Sequence, residues 1–230
     1  TGPKWKVLRE KIIFIILVTL IFYTIFGVIT AISAKAALST GKKAVGAAKL
    51  QDLDATKAYL RDTKKDLERT RTLLYVYTPL RFVPIIGWYV ADAQRGVNAA
   101  ISGINAASTL AEAITPYADV LGLKGEGTFL GGTAQERLAK AVETLGLVSP
   151  QIDDVGSELA RARSEVEKIQ SWRYPNILPG NPGDKVELAK NTIINLESLI
   201  VDTKQLLLVL PKIMGQDGEK KYLVLFQNDK

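Results

Sequence analysis

Hydrophobic positions along this chain fall into two unlike patterns. From Ile12 to Ala34 no charged residue interrupts the sequence, and Lys11 and Lys35 close the run at its ends. Phe14, Leu17, Leu20, Tyr23 and Phe26 leave it no polar face, unlike the one-sided helix of a water-soluble core. As a helix rising about 1.5 Å per residue the run is about 35 Å long, enough to cross a hydrocarbon core of about 30 Å. It is also longer than the roughly 7 to 15 apolar residues of a cleaved leader, which sets that reading aside despite the small residues around Ala34-Lys35-Ala36. The pattern predicts a membrane-spanning helix over residues 12–34. Within it Gly27 and Ala31 form a small-xxx-small pair suited to helix contact.

After Lys35 the apolar residues recur at helical spacing. Ala31 to Lys49 is Ala-rich and free of Pro, so the spanning helix is expected to continue to Gln51-Asp52, where an acidic cap starts another. Leu53, Leu60, Leu67 and Leu74 then recur every seven residues, with Thr56, Thr63, Thr70 and Tyr77 interleaved, and charged residues such as Arg61, Asp62 and Lys65 cover the remaining surface. Pro79 and Pro84 break this helix around an apolar turn ending at Gly87-Trp88. A third helix is predicted with Val90, Ala93, Val97, Ala100, Ile104, Ala107, Ala111 and Ile114 along its inner face.

Gly122 to Gly132 reads as a flexible connection, and Thr133 to Glu136 as a capping box opening a helix to about Leu147. Ser149-Pro150 predicts a further helix start, followed by the stripe Ile152, Val155, Leu159, Ala162, Val166 and Ile169. Tyr174-Pro175 to Gly183 forms an irregular crossover. The last long helix is expected from about Asp184 to Leu210, with Ala189, Ile193, Leu196, Ile200, Thr203, Leu207 and Leu210 inward and Pro211 at its end. Residues 222–226 are continuously apolar and read as a buried strand, the first of a C-terminal domain beyond this segment.

The expected fold is therefore all-α: a basic cytoplasmic tail (1–11), the spanning helix (12–34), an extracytoplasmic antiparallel helical bundle or stalk (35–212), and a junction into another domain (213–230). Two major hairpins are expected, turning at Pro79 to Gly87 and at Tyr174 to Gly183.

Composition narrows the chemistry. The 230 residues include no Cys and no His, so this segment has no disulfide framework, no Ser-His-Asp or Cys-His catalytic set and none of the common zinc or iron ligand sets. The net charge of +6 is unevenly placed. Residues 1–72 hold 14 Lys+Arg against 6 Asp+Glu, a net +8, leaving 16 against 18, a net −2, for the remainder. Such a membrane-proximal excess fits anionic headgroups better than nucleic acid, and no nucleic-acid partner is expected. Lysines and arginines tie across the span, but they crowd closer to the membrane on the N-terminal side, which favours that side as cytoplasmic.

The glycines around Gly125 and Gly127 make no phosphate-binding fingerprint, since Leu130 stands where Gly is needed and no strand precedes them; Gly41-Lys42-Lys43 fails similarly. No catalytic, cofactor-binding or metal residue is nominated and no cofactor is expected. The candidate residues are instead the anchor (Ile12, Phe14, Leu17, Leu20, Tyr23, Phe26, Gly27, Ala31) and the helix seams (Leu53, Leu60, Leu67, Leu74, Ile104, Leu159, Val166, Ile193, Leu196, Ile200, Leu207).

The stretch from Leu210-Pro211 through Gly215, Asp217-Gly218 and Tyr222-Leu223 to Gln227-Asn228 resembles the junction of a bacterial family classed as domain of unknown function four-thousand-and-twelve, as does the turn Pro84 to Gly87. The resemblance implies an envelope protein with one N-terminal span, alternating Ala/Leu helices outside the cytoplasmic membrane and a C-terminal domain, linked to surface polysaccharide or cell-wall functions. It supplies no active site.

Together these readings point to a membrane-anchored structural or assembly protein whose helical stalk supports a C-terminal domain and contacts other envelope proteins or a second copy of itself. A sensor-like ectodomain, and the anchor of a glycopolymer enzyme whose active site lies beyond Lys230, are the alternatives. A monomer with every seam satisfied internally competes with the homo-oligomer.

Overall fold

The computed structural model describes residues 3–118, 123, 134–177 and 180–213. Among them all regular structure is helical: α1 (Pro3–Lys49), α2 (Leu53–Tyr75), α3 (Ile86–Ile114), α4 (Ala134–Glu167) and α5 (Pro182–Ile213), with 3₁₀ turns at Thr78–Phe82, Thr115–Tyr117 and Ser171–Arg173. The Gly122 to Gly132 connection apart from Leu123, the cap at Thr133, and the junction and strand beyond Ile213 lie outside the described residues. So do the side chains of residues 134–150, Leu207 and Leu210.

The α1–α2 turn shows how local chemistry sets an angle. Gln51 takes the left-handed conformation (φ 58°), its amide donates to the Ala48 carbonyl (3.0 Å) and the Asp52 amide to that of Ala47 (3.0 Å). These two bonds close the carbonyl end of α1. Asp52 at once caps α2, its carboxylate accepting from the Ala55 amide at 2.9 Å. α2 therefore folds straight back along α1.

Each helix packs antiparallel on its chain neighbour. Ser33, Ala37, Ala44 and Ala47 are buried on α1, and Gly41 lets Thr63 of α2 approach closely. The threonines of α2 tolerate burial because each hydroxyl donates to the carbonyl four residues back: Thr56 to Asp52 (2.6 Å), Thr63 to Tyr59 (2.7 Å) and Thr70 to Asp66 (2.8 Å). The Thr70 and Ser33 hydroxyls also lie 2.9 Å apart, and Ser33 donates across the helix pair to the Asp66 carbonyl at 3.3 Å. Further along, Ala99 of α3 meets Ala162 and Val166 of α4, and Ala106 meets Val155 and Leu159, while Ile193 and Ile200 of α5 close over these clusters.

Four expectations need correction. α4 is one continuous helix through Ser149-Pro150, not two; Pro at a helix interior removes one amide donor but does not end the helix here. Pro182 lies at the first position of α5, where its missing donor costs nothing, so that helix starts earlier than Asp184. Pro211 lies within α5, which runs to Ile213, rather than at its end. The inner stripe assigned to α3 holds only in part: Ala111 is buried and Val90, Val97, Ile104 and Ile114 are half-buried, but Ala93, Ala100 and Ala107 are exposed, and Gly87, Asp92, Gln94, Ala99, Ile101 and Ala106 are buried outside it. α3 packs against α2 on one side and α4 on the other, so a single stripe cannot describe it.

Candidate membrane-facing site

One helix of the described chain, α1, is long and apolar enough to cross a membrane. Ile12, Phe14, Leu17, Leu20 and Ala31 are exposed on it. Tyr23, Phe26 and Gly27 are half-covered. The Tyr77 hydroxyl donates to the Tyr23 carbonyl at 2.9 Å, the two rings lie 5.4 Å apart, and a Cβ on Gly27 would stand 3.4 Å from the Tyr77 oxygen. Gly27, nominated for contact between copies, is thus the socket of the chain's own Tyr77.

That contact fixes a height. Tyr23 lies eleven residues beyond Ile12, about 17 Å along the helix axis, at the middle of the apolar run of residues 12–34. The α2–α3 hairpin tip reaches the same level as Tyr23 and is built of exposed apolar residues. Phe82 is 90% exposed, and Val83, Ile85, Ile86, Trp88 and Tyr89 are also exposed. The α4–α5 tip stands beside it, with Trp172 67% and Ile177 91% exposed.

Both tips close on a glycine at the second position of the following helix. A Cβ on Gly87 would collide with the backbone carbonyl of Arg81, and one on Gly183 would lie 2.5 Å from the Tyr174 carbonyl oxygen. In the first tip Ile85 adopts φ 69°, ψ −55°, with the Ile86 amide donating to the Pro84 carbonyl at 2.8 Å. This is the strained tight turn that β-branched residues ordinarily avoid, and such strain costs about 1–3 kcal/mol. Asn176 pins the second tip, accepting from the Asp184 amide at 3.2 Å and donating to the Asp184 carboxylate at 2.6 Å.

A buried ionic cluster joins the tips. The Asp92 side chain is 1% exposed and accepts from Arg95 (3.0 Å), from Arg173 (2.9 and 3.1 Å) and from the Tyr174 hydroxyl (3.3 Å). The Arg173 guanidinium lies over both Trp88 and Trp172, 5.4 and 5.6 Å from the ring centres. Tyr89 donates to the Arg173 carbonyl at 2.9 Å and packs edge-on against Tyr174. Burial first, then the adjacent Asp92 carboxylate, pushes the Tyr174 phenol up to about 12. These groups hold α3 to the α4–α5 turn. Their chemistry is structural, and among the described residues no cluster of three or more metal-ligating side chains occurs.

Above the tips an apolar groove of about 910 Å³ opens between α1 and α5, floored by α2, α3 and the end of α4. It gathers four seam residues: Leu67, Ile104, Val166 and Ile193. Leu53, Leu60, Leu74 and Leu159 are buried, and Ile200 is half-buried against α4. Leu196, assigned to the inner face of α5, is exposed, because α5 packs mainly on α4 and leaves its other faces uncovered.

Hydrophobic periodicity missed Asp92, Gln94 and Arg173, since polar groups are buried by their hydrogen bonds and not by their hydropathy. Gln94, for example, donates to the Leu74 carbonyl at 3.2 Å. Periodicity did offer one signal for the tips: a turn in water is ordinarily polar, whereas residues 79–89 carry a single charge, Arg81.

No protein-family model, curated protein or solved structure matches this chain.

Proposed function

We propose that this chain is a membrane-anchored structural or assembly protein of the bacterial cell envelope. α1 crosses the cytoplasmic membrane with its N-terminus inside, and the helical array stands on the outer face with both hairpin tips sunk in the outer leaflet. The Tyr77–Tyr23 contact carries this reading, because it puts the exposed aromatic and aliphatic tips level with the apolar run of α1. In water these side chains would be an exposed apolar patch; in a leaflet they are solvated by acyl chains, and Trp and Tyr favour the interface. Seated in this way the array is a fixed platform, which would hold the groove and any C-terminal domain at a set height for contact with envelope partners or a second copy. The envelope assignment draws on the resemblance of the 210–228 stretch.

The absence of native Cys makes the test direct. Single cysteines at Phe82, Ile177 and Lys49 are treated with a membrane-impermeant maleimide on intact cells. Lys49→Cys should label readily, and Phe82→Cys and Ile177→Cys only after detergent. Equal labelling of all three would put the tips in water, and labelling of Lys49→Cys only after lysis would reverse the orientation.

A further inference from the structure

Beside the tips lies a second cavity, of about 450 Å³, walled by α2, the Thr78–Phe82 turn, α3 and the end of α4. Its charged lining is Arg71, Arg81, Arg95 and Lys168 against one carboxylate, Glu165, a net of three positive charges. Lys168 pairs with Glu165 at 3.2 Å, and Arg95 with Asp92. Among the described residues no carboxylate stands within ion-pair distance of Arg71 or Arg81. Two guanidiniums thus line one recess with no partner from the fold.

The height of the recess says what meets them. Arg71 follows Thr70, whose hydroxyl touches Ser33, and Ser33 lies twenty-one residues beyond Ile12, about 31 Å along α1. That is where a hydrocarbon core of about 30 Å gives way to headgroups. Arg81 lies on the tip below and is exposed, and long basic side chains near a membrane surface extend toward the phosphate layer. Tyr75, largely exposed, completes the wall with Ala91, Gln94 and Asn98.

We propose that this recess binds the phosphate of an anionic phospholipid from the leaflet in which the tips sit, with Arg71 and Arg81 supplying paired donors and Arg95 and Lys168 the surrounding positive field. The proposal rests on the seating of the tips inferred above. It gives these basic side chains a specific use: selection of lipid by headgroup charge, as opposed to general attraction.

The test uses the full chain in nanodiscs of phosphatidylcholine containing one part in ten phosphatidylglycerol, with the lipids carried by the released protein counted by native mass spectrometry. One phosphatidylglycerol should be retained in preference to phosphatidylcholine. Arg71→Gln and Arg81→Gln should each weaken that preference by about tenfold, the usual worth of one charge-assisted hydrogen bond. Neither substitution breaks a bond of the fold, so thermal unfolding should stay unchanged. Arg61→Gln, an equal loss of charge ten residues away on the exposed part of α2, should leave the preference intact. Equal retention of the two lipids, or indifference to both arginine variants, would overturn the proposal. Release of the lipid by millimolar inorganic phosphate would assign the recess to a free anion and overturn it as well. In a Trp5→Phe background, quenching of Trp88 and Trp172 by brominated phosphatidylcholine separates the two claims: quenching without phosphatidylglycerol preference defeats the recess alone, and absence of quenching defeats the seating on which it rests.

Discussion

Asp92→Asn is the substitution with the clearest consequence for the fold. The change keeps shape and some hydrogen bonding but removes the only negative charge facing Arg95 and Arg173 among the described residues. Arg95 is 27% exposed and can turn toward solvent, whereas Arg173 is 16% exposed and wedged between two tryptophans. Its Nε already lacks a partner. Removing one member of a buried pair costs about 3–5 kcal/mol, chiefly because the remaining charge is stranded, and the partial exposure of both arginines places the expected loss near the lower end, about 3 kcal/mol. For a chain of this size that is a fall of about 6–12 °C in unfolding temperature. Thermal denaturation of the nanodisc-embedded protein measures it. Arg173→Gln in the Asp92→Asn background should recover part of the loss, since it removes the stranded charge. Lys204→Gln, which breaks the exposed pair with Asp153, should change stability by less than about 0.5 kcal/mol. If Asp92→Asn were as mild as Lys204→Gln, the cluster would not be what joins the tips.

Other outcomes follow from particular positions. Gly87→Ala and Gly183→Ala should each cost about 1–3 kcal/mol in thermal unfolding, because the new methyl meets backbone oxygen. Gly46→Ala and Gly103→Ala, whose Cβ would meet nothing within 4 Å, should each add about 0.5–1 kcal/mol. The raised pKa of Tyr174 predicts a loss of stability at high pH. Between its ordinary value of 10.0 and about 12 the unfolded chain has released the phenolic proton and the folded chain has kept it, so stability falls as pH rises through that window. Stability measured from pH 9 to pH 12 should therefore decline more steeply in the parent than in Tyr174→Phe; identical slopes would show that Tyr174 is not held in its protonated form.

Legibility in the sequence varied with how many neighbours a helix has. The stripe of α4 from Ile152 to Ile169 is buried throughout, because charged residues such as Asp153, Asp154, Glu158 and Arg161 separate its apolar positions and leave one possible face. α3 is apolar or small around most of its circumference, with α2, α4 and the groove on three sides, so a three-four spacing fits several faces equally. The long span of α1 was readable from composition alone, yet its partner was not. That Tyr77 fills Gly27 depends on α2 returning along α1, which is decided by the turn at Gln51-Asp52. The first tip was visible as an apolar turn and the second only as an irregular crossover; that they stand side by side, level with Tyr23 of α1, is supplied by tertiary contacts alone.

The proposed seating puts both tips in the leaflet next to α1. A Trp5→Phe variant leaves Trp88 and Trp172 as the only tryptophans of this chain. In nanodiscs of phosphatidylcholine brominated high on the acyl chain, their emission should be strongly quenched, less so with bromine near the chain end, and aqueous iodide should have little effect. Efficient quenching by iodide with none by either brominated lipid would place the tips in water and contradict the account.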